Sequence, residues 1–178
     1  MSGHIILSHG SGSSPEASKV SALARVAEQL GWTTERPDYR DSDALGLAES
    51  VAPRVQQLVA RMQASVTPPL LVGSSMGAFV SCLASLKAPC AGLFLMALPM
   101  PPADSAKAFD LDRRVPAMCV HGYADDVCPP QPTLDFARER GVPCLLVADG
   151  HRLADHLDTV IGQFRLFLER YALEQLVA

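Results

Sequence analysis

The sequence predicts an α/β fold in which helices cover both faces of a mainly parallel sheet of about six strands. Short apolar runs alternate with longer segments of helical periodicity along the chain of 178 residues. Most of the apolar runs lack the period-two alternation of a half-exposed strand, which is typical of strands buried on both faces. This alternation of strands and helices favours a three-layer α/β/α sandwich.

Six segments are predicted as strands, namely residues 4–8, 33–37, 70–73, 92–98, 117–121 and 144–148; the second of these is polar. Helical patterns cover about 14–30, 44–62, 76–87, 132–140 and 154–176. Ser14 is the expected cap of the first helix, and Gly31 and Gly141 suit left-handed residues that end the first and fourth. Pro53 either perturbs the second helix or marks its true start.

The composition is typical of one soluble globular domain, which we assign to residues 1–178 without a large lid. Hydrophobic residues make up 48% and charged residues 19%, and the net charge is −4. This balance offers no basic face for nucleic acid, and no cluster of Lys and Arg adjoins an apolar helix for membrane binding. Without the pattern of a signal peptide, five scattered cysteines indicate reduced thiols, no metal site and a cytoplasmic location.

The motif G-x-S-x-G occurs once, as G-S-S-M-G at residues 73–77. It follows the apolar run 70–72 and opens a helical pattern, which is the strand–turn–helix setting of a nucleophile elbow. Side chains at Gly73 and Gly77 would collide with the neighbouring strand and helix, so glycine is favoured there. The pattern predicts Ser75 as a catalytic nucleophile at the amino end of a helix, where developing negative charge is stabilised.

Three further segments stand before and after the elbow: L-S-H-G-S-G-S at 7–13, V-H-G-Y-A-D-D-V-C-P at 120–129, and A-D-G-H-R-L at 148–153. With them the chain resembles the α/β-hydrolase family, in which the triad follows the order Ser, Asp, His. The resemblance runs from His4 to the last helix. Within the family it is closest to compact hydrolases without a lid, such as the Tex30/KANL3-like hydrolase domain.

The resemblance implies an oxyanion hole of two backbone N–H groups. One is the N–H of Met76, which follows the nucleophile, and the other comes from the His-Gly loop after the first strand. Ser11 is the expected donor in that loop, and Gly12 is the alternative. A phosphate-binding loop is disfavoured because the Gly-Lys-Ser/Thr of a Walker A motif is absent.

The resemblance also implies the acid and the base of the triad. Counting from His121 places the acid at Asp125, with Asp126 as the alternative, and the loop after the last strand supplies the base, His151. His9 and His121 stand in His-Gly turns and are expected to stabilise those turns. Of the remaining histidines, His156 is expected at the surface.

These residues together predict a serine hydrolase of the carboxylesterase or thioesterase type. Ser75 would attack an ester or thioester of a small-molecule acyl substrate, with His151 as base and then acid and Asp125 orienting it. No step needs a metal or an organic cofactor. The sequence carries no indication of an oligomeric state.

The substrate is less well defined by the sequence than the reaction. The segment 99–114 is too short for a lid, which predicts an open site for small or exposed acyl groups. Leu98, Met100 and Tyr123 are candidate substrate contacts, although packing of the loop explains the first two equally well. The alternative function is that of a non-catalytic binding or scaffold protein with the same fold.

Overall fold

A computed structural model of the chain describes residues 3–101 and 108–177, with side chains through residue 173. Six strands form one sheet: β1 (His4–Ser8), β2 (Thr33–Glu35), β3 (Leu70–Ser74), β4 (Gly92–Met96), β5 (Ala117–Gly122) and β6 (Cys144–Val147). The helices of the described residues are α1 (Ser18–Gln29), α2 (Arg40–Asp43), α3 (Val51–Ala64), α4 (Met76–Ser85), α5 (Pro130–Arg140) and α6 (Leu157–Val177). All six predicted strands are present, each within two residues of its expected end.

The strand order is β2-β1-β3-β4-β5-β6, and every neighbouring pair is parallel. The chain leaves β1 in one direction to form β2 and then returns to build β3 on the other side of β1. The carboxyl ends of β1 and β3 therefore flank the point where the winding direction changes. In open α/β sheets this crevice is the usual position of a ligand.

Alternate residues of each strand enter the two apolar layers of the sandwich. Ile5 and Leu7 of β1 pack with helices α1 and α6, whereas Ile6 packs with α3, α4 and α5 on the other face. The same alternation places Leu70 and Val72 in the first layer and Leu71 in the second. Burial on both faces is the reason that these strands are apolar at consecutive positions.

The amino end of α1 differs from the prediction. Ser14 does not cap this helix, because its hydroxyl accepts the N–H of Glu16 and its carbonyl accepts the N–H of Ala17. These bonds close a separate turn, and α1 begins at Ser18. Gly31 has φ +85° just after the helix, as expected of a left-handed residue at that position.

The second predicted helix is shorter than expected. Only its later part is helical, as α3, which begins at Val51; the single-turn α2 ends at Asp43, before the predicted start. Pro53 lies in the first turn of α3, where backbone N–H groups have no helical carbonyl to bond, so the missing N–H of proline costs no hydrogen bond. Pro53 therefore marks the start of the helix, which was the second of the two predicted alternatives.

Part of the segment 99–114, expected to be too short for a lid, lies outside the described residues, namely 102–107. Beyond that gap, Phe109 and Leu111 are buried against α4 and α5, and Phe109 stacks on Phe79 with ring centroids 4.5 Å apart.

Within the described ranges, no helix has both the length and the apolar character needed to cross a bilayer.

Candidate active site

Ser75 lies at the turn between β3 and α4, with φ 54° and ψ −123°. A non-glycine residue at positive φ is strained, and such strain is concentrated at functional sites. The Ser75 N–H donates to the carbonyl of Met96, which extends the pairing with β4 up to the turn. The turn then directs the Ser75 side chain away from the sheet at its carboxyl edge.

The two glycines of the motif allow this turn to fit between its neighbours. A Cβ at Gly77 would lie 2.0 Å from the carbonyl oxygen of Ser8 in β1. A Cβ at Gly73 would lie 2.4 Å from the backbone of Ala78 in α4. Both contacts are to backbone atoms that cannot move aside, so the predicted need for glycine at these positions is explained by close packing of β1, β3 and α4.

The structure brings Ser75, His151 and Asp125 into one hydrogen-bonded chain. The Ser75 Oγ lies 3.0 Å from His151 Nε2, and His151 Nδ1 lies 2.8 Å from Asp125 Oδ2. In the tautomer protonated at Nδ1, the serine hydroxyl donates to Nε2 and the imidazole donates to the carboxylate. These three residues come from loops at the carboxyl ends of β3, β6 and β5.

Asp125 is held in place by the loop that follows β5. It is 4% exposed, and its Oδ1 accepts the N–H groups of Val127 and Cys128 at 3.0 and 2.8 Å. The alternative acid, Asp126, is exposed to solvent. The imidazole of His121 is wholly buried and donates to the Cys128 carbonyl at 2.8 Å, consistent with its expected part in stabilising the turn.

The loop that carries His151 packs directly on the end of β5. A Cβ at Gly122 would lie 2.2 Å from the carbonyl oxygen of Asp149, and that carbonyl accepts the N–H of Ala124. Asp149 is 8% exposed, and its carboxylate accepts the N–H groups of Gly150, Asp155 and His156. These bonds hold the pKa of Asp149 below its ordinary value, although burial opposes them.

The loop after β1 passes against the nucleophile. A Cβ added to Gly10 would lie 3.4 Å from the Cβ of Ser75. The Gly12 N–H already donates to Asp43 at 3.2 Å, whereas the Ser11 N–H has no acceptor among residues 3–101 and 108–177. The Met76 N–H, as the first of α4, also lies beyond the reach of helical carbonyls. Of the two predicted alternatives, Ser11 is the one with an unoccupied donor.

A buried guanidinium beneath this loop was not predicted from the sequence. Arg54 of α3 is fully buried, donates to the carbonyls of His9 and Gly10 at 2.9 and 3.2 Å, and forms a bidentate pair with Asp43 at 2.7 and 2.6 Å. Its guanidinium also lies 4.7 Å from the ring centroid of Tyr39. One signal was present in the sequence: Arg54 falls on the apolar stripe of its helix, one turn before Leu58.

His9 occupies the same polar cluster. Its Nε2 accepts the Tyr39 N–H at 3.1 Å, so its Nδ1 carries the proton and donates to the Gly10 carbonyl at 2.8 Å. Burial lowers the pKa of His9. The neutral imidazole therefore supports the loop, as expected of a histidine in a His-Gly turn, and it does not contact Ser75 through a hydrogen bond.

A groove of about 440 Å³ opens beside Ser75. Besides Ser74 and Ser75, its walls are residues 9–13 of the loop after β1, residues 17–20 at the start of α1, and three residues of the loop after β6, namely His151, Arg152 and Ala154. The ammonium of Lys19 lies in this groove and donates to the His151 carbonyl at 3.0 Å. Lys19 was also missed in the sequence, because only the fold places it beside a residue that is 132 positions away.

The predicted substrate contacts do not line this groove. Leu98 is wholly buried and Met100 packs against the same apolar layer, so both belong to the packing of the loop. For Leu98, burial favours loop packing, which was one of the two interpretations left open by the sequence. Tyr123 is 59% exposed at the end of β5, outside the groove.

One group of side chains has the elements of a metal site. Ligand atoms of Asp125, Cys128 and His151 lie within 4.8 Å of one another. The Asp125 carboxylate, however, is already occupied by an imidazole and two backbone N–H groups. Burial raises the pKa of the Cys128 thiol to about 11, so that it is protonated at neutral pH and a poor ligand. The arrangement suits a hydrogen-bonded triad better than a cation.

The fold and this arrangement are those of an α/β protein with a serine at a nucleophile elbow. Residues 5–161 match the sequence model of the alpha/beta hydrolase family. The chain belongs to the α/β-hydrolase family. No curated protein sequence matches it.

Solved structures agree with this assignment. A Xanthomonas campestris pv. campestris protein assigned to the α/β superfamily of hydrolases is 40% identical, with a TM-score of 0.88 over 94% of this chain and 99% of its own. A lid-less α/β serine hydrolase from Xanthomonas campestris is 19% identical, with a TM-score of 0.69 over 94% and 82%. Est1E from Butyrivibrio proteoclasticus is 18% identical, with a TM-score of 0.73 over 96% and 88%. The last two likenesses concern the fold alone, and the resemblance to the Tex30/KANL3-like domain stays a prediction.

Proposed function

We propose that this protein is a serine hydrolase that cleaves small esters or thioesters through an acyl-enzyme intermediate. The observation that carries the proposal is the continuous hydrogen-bonded chain from Ser75 through His151 to Asp125. In this geometry a base already lies within proton-transfer distance of a hydroxyl, and a buried carboxylate orients that base. The strained backbone of Ser75 and its position at a helix amino end add support.

In the first half of the reaction, Ser75 Oγ attacks the carbonyl carbon of the substrate while its proton passes to His151 Nε2. The carbonyl oxygen becomes an oxyanion that accepts hydrogen bonds from the N–H groups of Ser11 and Met76. Asp125 stabilises the imidazolium. When the tetrahedral intermediate collapses, the bond to the leaving alcohol or thiol breaks and that group takes the proton from Nε2.

In the second half, water replaces the leaving group. His151 Nε2 accepts a proton from the water as its oxygen attacks the acyl carbon of the Ser75 ester. The same two N–H groups of Ser11 and Met76 hold the second oxyanion. Collapse breaks the bond to Ser75 Oγ, which recovers its proton from His151, and the carboxylic acid leaves.

The experiment combines active-site labelling with an acyl-chain series. A fluorophosphonate probe should label the folded protein at Ser75, located by mass spectrometry, and 4-nitrophenyl esters of increasing chain length should be hydrolysed. An open groove favours short acyl groups. Ser75→Ala should lose both labelling and turnover, with kcat lower by about 10⁴-fold or more because the nucleophile is absent.

Ser74→Ala is the matched control, since Ser74 is the buried neighbour of Ser75 and contributes no hydroxyl to the triad. It should retain labelling. Absence of labelling at Ser75 in protein that circular dichroism shows to be folded would overturn the proposal and favour a non-catalytic binding protein. A sharp preference for long acyl chains would contradict the open site.

A further inference from the structure

The groove beside Ser75 is lined by positive charge. Two cationic side chains, Lys19 from α1 and Arg152 from the β6 loop, belong to its walls. Among the described residues that line it, none is acidic. Lys19 is half-buried and Arg152 is exposed. For a protein with a net charge of −4, this local excess of positive charge opposes the overall balance.

The first turn of α1 adds to the same field. Ser18, Lys19 and Val20 are the first three residues of this helix of 12 residues, and all three line the groove. Their N–H groups lie in the first turn, where no helical carbonyl is in position to accept them. The positive end of the helix dipole is directed to that wall of the groove. A helix amino end and an ammonium group on one wall are a favourable combination for an anion.

The nearest carboxylates are occupied by other partners. Asp125 bonds His151 and two backbone N–H groups, and Asp149 accepts three backbone N–H groups. Neither lines the groove, and no salt bridge joins Lys19 to a carboxylate within residues 3–101 and 108–177. The Lys19 ammonium donates once, to the His151 carbonyl, and two of its three protons stay free for a ligand.

We propose that the groove selects substrates that carry an anionic group, a carboxylate or a phosphate, close to the scissile ester, and that Lys19 is the residue that binds this group. Arg152 reinforces the field at the entrance. This inference rests on the proposed function, because it names the substrate class of the same site. It adds a specificity that the triad by itself does not provide.

The test uses two pairs of esters, each comparing a free carboxylate with its neutral methyl ester, and each enzymatic rate is divided by the uncatalysed rate to correct for differences in intrinsic reactivity. In the first pair the charge is on the acyl side: 4-nitrophenyl hydrogen adipate against its neutral methyl ester. In the second it is on the leaving group: 4-acetoxybenzoate against methyl 4-acetoxybenzoate. We expect kcat/KM for the charged member to exceed that of its neutral partner by about tenfold in at least one pair, the size of one charge-assisted hydrogen bond. Salt should reduce the ratio.

Variants of Lys19 show whether it is responsible. Lys19→Met should bring the charged-to-neutral ratio close to one, and Lys19→Arg should restore most of it because the guanidinium keeps the charge. The ratio is the readout, since Lys19 also bonds the His151 carbonyl and its loss can slow both esters alike. Lys87→Met is the matched control: this exposed lysine lies between α4 and β4, outside the groove, and the ratio should not change.

The outcomes separate the two proposals. Neutral esters hydrolysed as fast as charged ones, or a Lys19→Met variant that keeps the wild-type ratio, would overturn the anion selectivity and leave the serine hydrolase intact. Equal losses on both esters in Lys19→Met would also overturn it, because they indicate a purely positioning role for Lys19. Absence of hydrolysis together with absence of labelling at Ser75 would overturn the proposed function.

Discussion

The guanidinium of Arg54 and the carboxylate of Asp43 form a bidentate ion pair beneath the loop that passes Ser75. The Arg54 side chain is wholly buried and that of Asp43 is 11% exposed. The pair also holds both ends of the loop, because Arg54 donates to the carbonyls of His9 and Gly10 and Asp43 accepts the N–H of Gly12. Ser11 lies between these anchored residues.

We expect Arg54→Met to lower the free energy of unfolding by about 3–5 kcal/mol, since it leaves a largely buried carboxylate without its partner. We also expect kcat to fall by up to about 10²-fold, the lower range found for loss of one oxyanion donor, with little change in KM. Urea denaturation and ester kinetics measure the two effects. Arg61→Met is the control on the same helix: its pair with Glu35 is about one-third exposed, and a loss of about 0–1 kcal/mol is expected.

The strained backbone at Ser75 predicts that relieving the strain raises the stability of the protein, although the variant without the serine is inactive. Ser75→Gly removes the Cβ from a residue at φ 54°, where glycine is unstrained. We expect this variant to be about 1 kcal/mol more stable than Ser75→Ala, which keeps the Cβ, while both are inactive. Thermal unfolding should show a difference of about 2–4 °C for a domain of this size. Equal midpoints for the two variants would mean that the turn stores no strain.

The close approach of α4 to β1 predicts that Gly77→Ala is severely destabilising. The new methyl group would meet the backbone oxygens of Ser8 and His9, at 2.0 and 2.8 Å. We expect a loss of about 3 kcal/mol or more, at the upper end of overpacking effects, with loss of ester hydrolysis. Gly162→Ala is the contrasting change, because no atom lies within 4 Å of its Cβ position in α6. It should stabilise the protein by about 0.5–1 kcal/mol.

The two neighbouring acids after β5 should differ sharply in effect. Asp125→Asn should lower kcat by about 10³–10⁴-fold, because an amide cannot both fix the imidazole tautomer and stabilise the imidazolium. Asp126→Asn, at an exposed position without a bond to His151, should leave kcat close to wild type. The 4-nitrophenyl ester assay measures both. A larger loss of kcat for Asp126→Asn than for Asp125→Asn would instead identify Asp126 as the triad acid.

The anion selectivity should depend on pH through Lys19. Burial lowers the pKa of Lys19 from its ordinary 10.5 to about 8. The positive charge of Arg152 acts in the same direction. The fields of Asp125, Asp149 and Cys128 raise the pKa, but burial outweighs them. Below pH 8 the ammonium is charged, so the charged ester is preferred. As the pH rises through about 8 the proton is lost and the preference should disappear.

The charged-to-neutral ratio of kcat/KM isolates this titration, because any effect of pH on the chemical steps that the two esters share cancels in the ratio. In Lys19→Arg the ratio should stay constant through the same range, since a guanidinium remains protonated. A ratio that is flat across pH 8 in the wild-type protein would contradict the assignment to Lys19.

The sequence patterns predicted the sheet and the elbow with Ser75, and the resemblance to the α/β-hydrolase family implied Asp125 and His151. Each of these is visible over a few consecutive residues: an apolar run marks a strand, and glycines two positions from a serine mark a tight turn. The helix starts were less predictable. Ser14 is a residue type that often caps helices, but its hydroxyl and carbonyl accept hydrogen bonds within a local turn, so α1 begins later.

Tertiary structure decided which side chains surround the nucleophile. Leu98 follows a buried strand in the sequence, and only the packing of the loop shows that it is enclosed. Arg54 and Lys19 carry no motif, yet one supports the loop of Ser11 and the other enters the groove. The physical reason is that backbone pattern and turn chemistry are local, whereas burial, ion pairing and the field at Ser75 depend on distant segments that meet only in the folded chain.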